Sequence, residues 1–285
     1  QQNVRMILTE EVRQAGNKAT MEDSRAGNEE PVFGQTGAGN EVAATRVEKP
    51  GGWTNNGSNK VSRLGNLAGK NLGLNTLQKV MAGDGVTATV NYFYQNATGG
   101  GNTNLPNLII GNLLQVLTGS NATVGLIKDN DGTITSQLGG NTGFLNAVQP
   151  PGSGGTTPQA FLTILFFDER FQLISDADGG VHQSQVAATW SAGNSTLTLP
   201  NIKAPKNGYV YVFLSNRSDQ HVYFDDFNVS ITNSNILEEN HYYAYGLKIA
   251  AISSKRITDT YDGLAKNNYL YNDKELWDDA DLNWY

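Results

Sequence analysis

The chain has 285 residues, a formal net charge of −7, 16% charged residues, 32 glycines and no cysteine. That length supports a sizeable core without staples, and the missing thiol excludes disulfides, thiolate metal sites, iron–sulfur clusters and cysteine nucleophiles. Scattered lysines and arginines under an acidic balance leave no basic face for phosphates, so nucleic acid is not an expected partner. No apolar run approaches the roughly 18 residues of a membrane-crossing helix, and Gln1 does not open a charged-then-apolar leader, so a soluble chain, mature or a fragment, is expected.

Residues 1–17 open with the short β-like stretch Asn3–Thr9 and then turn polar; a lone strand of this kind needs a partner outside itself. From about 18 to 76 the chain reads as irregular and Gly/Asn-rich, with turn signals around short strands at Pro31, at Pro50-Gly51-Gly52-Trp53 and at Asn55-Asn56-Gly57. Thr76–Tyr94 reads as a hairpin around Ala82-Gly83-Asp84-Gly85. Residues 105–118 carry apolar side chains at helical intervals, with Pro106 suited to a first turn, and predict a short inserted helix.

Four strand-like runs follow at 160–174, 185–199, 208–215 and 221–231, and the last two read as neighbours able to pair. The expected fold is therefore mainly β, a jelly-roll or β-sandwich with one short inserted helix and extended, strand-like termini. After Asn235 the composition shifts: residues 257–285 hold seven acids against Lys266 and Lys274, five of the seven net negative charges. Three segments are expected, an arm at 1–17, the sandwich at 18–235 and an acidic tail at 236–285.

Metal chemistry has two candidate loops. Asp129-Asn130-Asp131-Gly132 and Asp176-Ala177-Asp178-Gly179 alternate carboxylates before glycine, which suits a structural calcium ion, although an Asx-type turn is the plainer reading of each. No cofactor is required. Asp225-Asp226 lie side by side in a strand, with side chains on opposite faces, which argues against a catalytic dyad. Asp168-Glu169-Arg170 ends an apolar strand and reads as a turn with local ion pairing. His182, His221 and His241 lack zinc-ligand spacing and any hydrolase motif, so they are taken as structural or exposed and no enzyme is expected. Six Asn-x-Ser/Thr sequons, at Asn56, Asn96, Asn121, Asn194, Asn216 and Asn228, read as by-products of an Asn-, Ser- and Thr-rich composition.

Three terminal stretches bring in a resemblance. Ile236-Leu237-Glu238-Glu239-Asn240-His241-Tyr242-Tyr243-Ala244-Tyr245-Gly246-Leu247-Lys248 resembles the "EExHYYPFGL" segment of Bacteroidetes Rhs-repeat-associated core proteins, with Ala244-Tyr245 in place of Pro-Phe. Asn268-Tyr269-Leu270-Tyr271-Asn272-Asp273-Lys274-Glu275-Leu276 resembles their "KYxYNGKEL" signature, with Asn268 for Lys and Asp273 for Gly. Asn3-Val4-Arg5-Met6 is similar to the "GNVRM" strand that precedes an inserted domain in the same proteins, and Val222–Val229 to the closing strand of galactose-binding-like jelly rolls. The resemblance implies a bacterial, extracellular or cell-surface module, and puts the family's self-cleaving aspartate and toxin tip beyond Tyr285.

Two functions follow as expectations. One is a non-catalytic binding module for a glycan or other cell-surface ligand, with Trp53, Tyr92, Tyr94 and Trp190 as candidate stacking rings, each of which also reads as core. The alternative is a structural subunit that joins copies of itself into oligomers or filaments by strand exchange through its termini.

Overall fold

The computed structural model describes residues 6–8, 10, 13–34, 41–54, 57–65, 68, 70–95, 157–188, 195–243, 249 and 253–255. The expected helix at 105–118 lies outside them. The elements run β1 (Met6–Leu8), β2 (Gln14–Ala19), α1 (Ala26–Phe33), α2 (Glu41–Thr45), β3 (Arg46–Glu48), β4 (Lys60–Leu64), β5 (Leu72–Val80) and β6 (Gly85–Tyr94). Then follow β7 (Ala160–Asp168), β8 (Val181–Gln185), β9 (Ser195–Lys203), β10 (Gly208–Asn216), β11 (Val222–Thr232), β12 (Ile236–Glu239) and β13 (Ser254–Lys255).

The fold is mainly β, a two-layer antiparallel sandwich. One layer has the order β5-β10-β7-β8; the other has β3-β4-β11-β6-β9, with β2 also on β11. Period-two alternation fills the space between them: Ala160, Leu162, Ile164 and Phe166 of β7 and Val210, Val212 and Leu214 of β10 meet Val86, Ala88 and Val90 of β6 and Val229 and Ile231 of β11. Each such side chain contributes about 1.5–3 kcal/mol when fully buried. β10 is buried at every position, so it reads as a continuous apolar run, the mark of a central strand covered on both faces.

Several pairings differ from expectation. β5 and β6 form no hairpin: they lie in opposite sheets, and residues 81–84 are a corner between layers. The corner is fastened by Asp84, whose carboxylate accepts from the backbone N–H of Met81 (2.9 Å) and of Ser234 (2.6 Å). β10 and β11 likewise do not pair, because the chain crosses to the other layer between them. Of the run expected at 185–199, Gln185 closes β8 and Ser195–Leu199 open β9, in opposite layers. Periodicity fixes which residues share a face, but both layers offer the same apolar face, so it does not say which layer a strand joins.

The stretch 18–76 supplies short strands, as expected, in β3, β4 and the start of β5, but also the helices α1 and α2, which were not expected. Nothing in Ala-Gly-Asn-Glu-Glu-Pro-Val-Phe signals a helix; tertiary contacts hold it. Phe33 sits in the core with its ring 5.3 Å from that of Phe227, and buried Glu29 accepts from the backbone N–H of Thr20 (2.7 Å) and of Met21 (3.1 Å). β2 carries the sandwich's hydrogen bonding back to Gln14, inside the segment expected to be an arm.

β11 shares one edge between two partners, β4 at Val222–Phe224 and β2 at Phe227–Thr232. Between them the register against β6 slips, and Asp226 takes φ +53. Asp225 and Asp226 thus occupy a bulge rather than a regular strand, and the inward positions shift from 222 and 224 to 227, 229 and 231. Asp225 is wholly buried, while Asp226 pairs with Lys18 at 2.7 Å.

The terminal strands are not orphans. β1 pairs antiparallel with β12, and β12 with β13, in a separate three-stranded sheet; Met6 lies opposite Glu239, Ile7 opposite Glu238 and Leu8 opposite Ile236. The strand expected to need an outside partner finds one more than 220 residues along its own chain, out of reach of any local signal.

Candidate functional site

The cleft that matters lies where the small sheet meets one end of the sandwich. It has a volume of about 400 Å³ and is lined by Ala82, Asp168, Glu169, Arg170, Pro205, Lys206, Asn207, Glu239 and His241. Four stretches supply these residues: the corner after β5, the turn after β7, the turn between β9 and β10, and the end of β12.

The turn after β7 is made rigid by its own carboxylate. Asp168 accepts from the backbone N–H of Arg170 (2.8 Å) and of Gln172 (2.9 Å), and Phe171, at φ +57, lays its ring 4.2 Å from that of Tyr209. This Asx-type turn puts Glu169 and Arg170 on the cleft's rim; a turn was expected here, but among the described residues it contains no ion pair. Burial, with the nearby Glu169 as a second cause, pushes the Tyr209 phenol up.

Asn207 joins the two parts of the molecule. Its Oδ1 accepts from the Ala82 N–H at 2.8 Å, and its Nδ2 donates to Glu239 Oε2 at 2.5 Å. The other carboxylate oxygen of Glu239 stands 3.3 Å from His241 Nε2. Backbone bonds from Gly83 N–H to Ala204 C=O and from Ala204 N–H to Asp84 C=O, both 2.8 Å, hold the loop against the corner. The cleft is thus a preformed polar hollow with amide, carboxylate, ammonium and guanidinium groups at its surface.

The expected ligand rings lie elsewhere. Tyr92 and Tyr94 do share a strand face, but it is the inner one: they are 4% and 2% exposed, stack on each other at 6.5 Å, and grip the backbone of Ala187 through their hydroxyls. Burial raises the Tyr94 phenol, with Tyr92 as a second cause. Trp53, 3% exposed, stacks 5.6 Å from Phe93 in a small second core with Val61 on the outer side of the six-stranded sheet. These three rings are core, so none offers a face to a sugar. Trp190 lies outside the described residues.

The loop at Asp176–Asp178 is a 3-10 turn capped by Ser175, closed by Gly179 at φ +76, with Asp178 Oδ2 accepting from Ser175 Oγ at 2.6 Å. The turn is thus capped by a serine hydroxyl and not by an Asx side chain, and among the described residues no group of three or more His, Asp or Glu is placed to hold a metal ion. Asp129 and Asp131 lie outside the described residues. His182 bonds to the Gly179 carbonyl at 3.0 Å, and burial, then Arg63, lowers the pKa of His221. His241, read from sequence as structural or exposed, lines the cleft.

Sequence reasoning missed Lys206, Asn207 and Glu239 altogether, and took Arg170 only for part of a turn. The signal for them is thin, because turns far apart in the chain converge only through the layer crossings. The fold and the cleft define a class, a two-layer antiparallel sandwich closed by a small terminal sheet with a charged hollow at the junction. Comparison with family models, curated proteins and solved structures finds no match to this chain.

Proposed function

We propose that this chain is a non-catalytic, cell-surface β-sandwich module of an Rhs-type protein that binds glycan in the junction cleft. The observation that carries the reading is the pairing of β1 with β12. It sets Met6 of the "GNVRM"-like segment opposite Glu239 of the "EExHYYPFGL"-like segment, and the following Ile7 opposite Glu238, so the sandwich leaves and re-enters a single sheet between adjacent strands. A domain inserted in this way is held out from its host like a bead on a hairpin, which suits display.

The cleft supports the rest. It is small, with amide and carboxylate acceptors for hydroxyl groups from Asn207, Glu169 and Glu239 beside the apolar surface of Ala82 and Pro205. Asp225, whose carboxyl is raised into the range useful for acid–base work, is buried in the middle of β11 and does not line the cleft, which favours binding over catalysis.

A glycan array probed with the intact chain tests the reading. Binding to a discrete set of glycans is expected, and Glu169→Trp, which sets a bulky ring on the rim, removes it without altering thermal unfolding. An array silent across its whole panel sinks the glycan reading.

A further inference from the structure

We infer that the cleft takes an anionic sugar unit, whose carboxylate or sulfate group is held by Arg170 and Lys206. This rests on the glycan-binding reading of the same cleft and narrows its ligand class. The ligand class follows from which hydrogen-bonding groups are already occupied. Asp168 is committed to two backbone N–H groups, and Glu239 to the Asn207 amide and the neighbourhood of His241. Arg170 and Lys206 are exposed on the cleft, and among the described residues neither forms an ion pair.

The unspent hydrogen-bonding capacity is therefore mainly donor: a guanidinium fork, which grips planar carboxylates in bidentate fashion, and an ammonium with three donors. Glu169 remains as an acceptor for sugar hydroxyls. At a net charge of −7 the whole molecule repels a polyanion. An acidic polymer that binds must therefore be held by direct donor contacts at Arg170 and Lys206 that outweigh the carboxylates of Asp168, Glu169 and Glu239 beside them.

Titration calorimetry of the intact chain against polygalacturonate, dextran sulfate and neutral dextran tests this. Binding of an acidic polymer is expected, weakened about tenfold or more by Arg170→Gln and by Lys206→Gln, weakened by added salt, and unchanged by Lys49→Gln outside the cleft. Polygalacturonate alone identifies a carboxylate ligand, and dextran sulfate alone a sulfated one. Acidic-polymer binding indifferent to both cleft variants, equal binding of neutral dextran, or no acidic binding at all overturns the inference. Neutral glycans that still bind on the array and are blocked by Glu169→Trp would leave the broader reading intact; silence in both experiments removes both.

Discussion

The carboxyl of Asp225 is wholly buried at the bulge in β11, and desolvation is the main reason its pKa rises from 3.8 to about 6. Hydrogen bonds from Ser58 and from the Asp226 N–H act the other way, and the charges of Asp226 and Glu22 add to the rise. The native state therefore holds a proton at pH values where the unfolded chain has lost it. Native protein binds more protons between about 4 and 6, and its stability falls as pH climbs through that window. Above it the penalty is complete, at most about 3 kcal/mol. Asp225→Asn keeps an acceptor for the Asp226 N–H and cannot ionise. The variant is expected to gain about 1–3 kcal/mol at pH 7.5, little at pH 4, and to lose the slope between. Urea unfolding at the two pH values checks this; an effect equal at both would show that the stability change does not come from ionisation of Asp225.

At the scale of elements, the pairing of β7 with β10 depends on one glycine. Gly208 opens β10 at φ +153, where an added Cβ would stand 2.1 Å from the Phe167 carbonyl oxygen. Gly208→Ala must push the two central strands apart or flip the backbone, at a cost of about 3 kcal/mol or more, a fall of roughly 6–12 °C in thermal midpoint. Gly27→Ala in α1 is the control: its Cβ meets nothing within 4 Å, and the helix gains up to about 1 kcal/mol. Equal effects at the two sites would contradict the strand geometry. The same elements show what the sequence could convey. The close spacing of strand-like runs such as Ala160–Asp168 and Val222–Thr232 makes the β class legible, and period-two alternation puts Tyr92 and Tyr94 on one face. It did not say whether that face was inner or outer, since an aromatic ring suits a buried layer and an exposed groove equally. The cleft was less legible still, because Arg170, Lys206 and Glu239 sit in three separate stretches whose approach depends on strands changing layers.

For the molecule as a whole, the decisive contact is again β1 on β12, since it determines whether the chain closes on itself. β1 is three residues long, and Met6 and Leu8 are 47% and 61% exposed, so the strand is held by backbone pairing more than by burial. Removing residues 1–9 strips that pairing from Ile236–Glu239 and leaves an unpaired edge, which recruits another strand where it can. The deletion variant is therefore expected to associate with rising concentration while the intact chain stays monomeric, and the sandwich, with its core untouched, keeps its unfolding transition. Light scattering on a sizing column across a hundredfold concentration range distinguishes this from assembly by strand exchange, in which intact chains form the oligomers and the same deletion dissolves them. The opposite signs follow from one question, whether the partner of β12 comes from its own chain or from a neighbour.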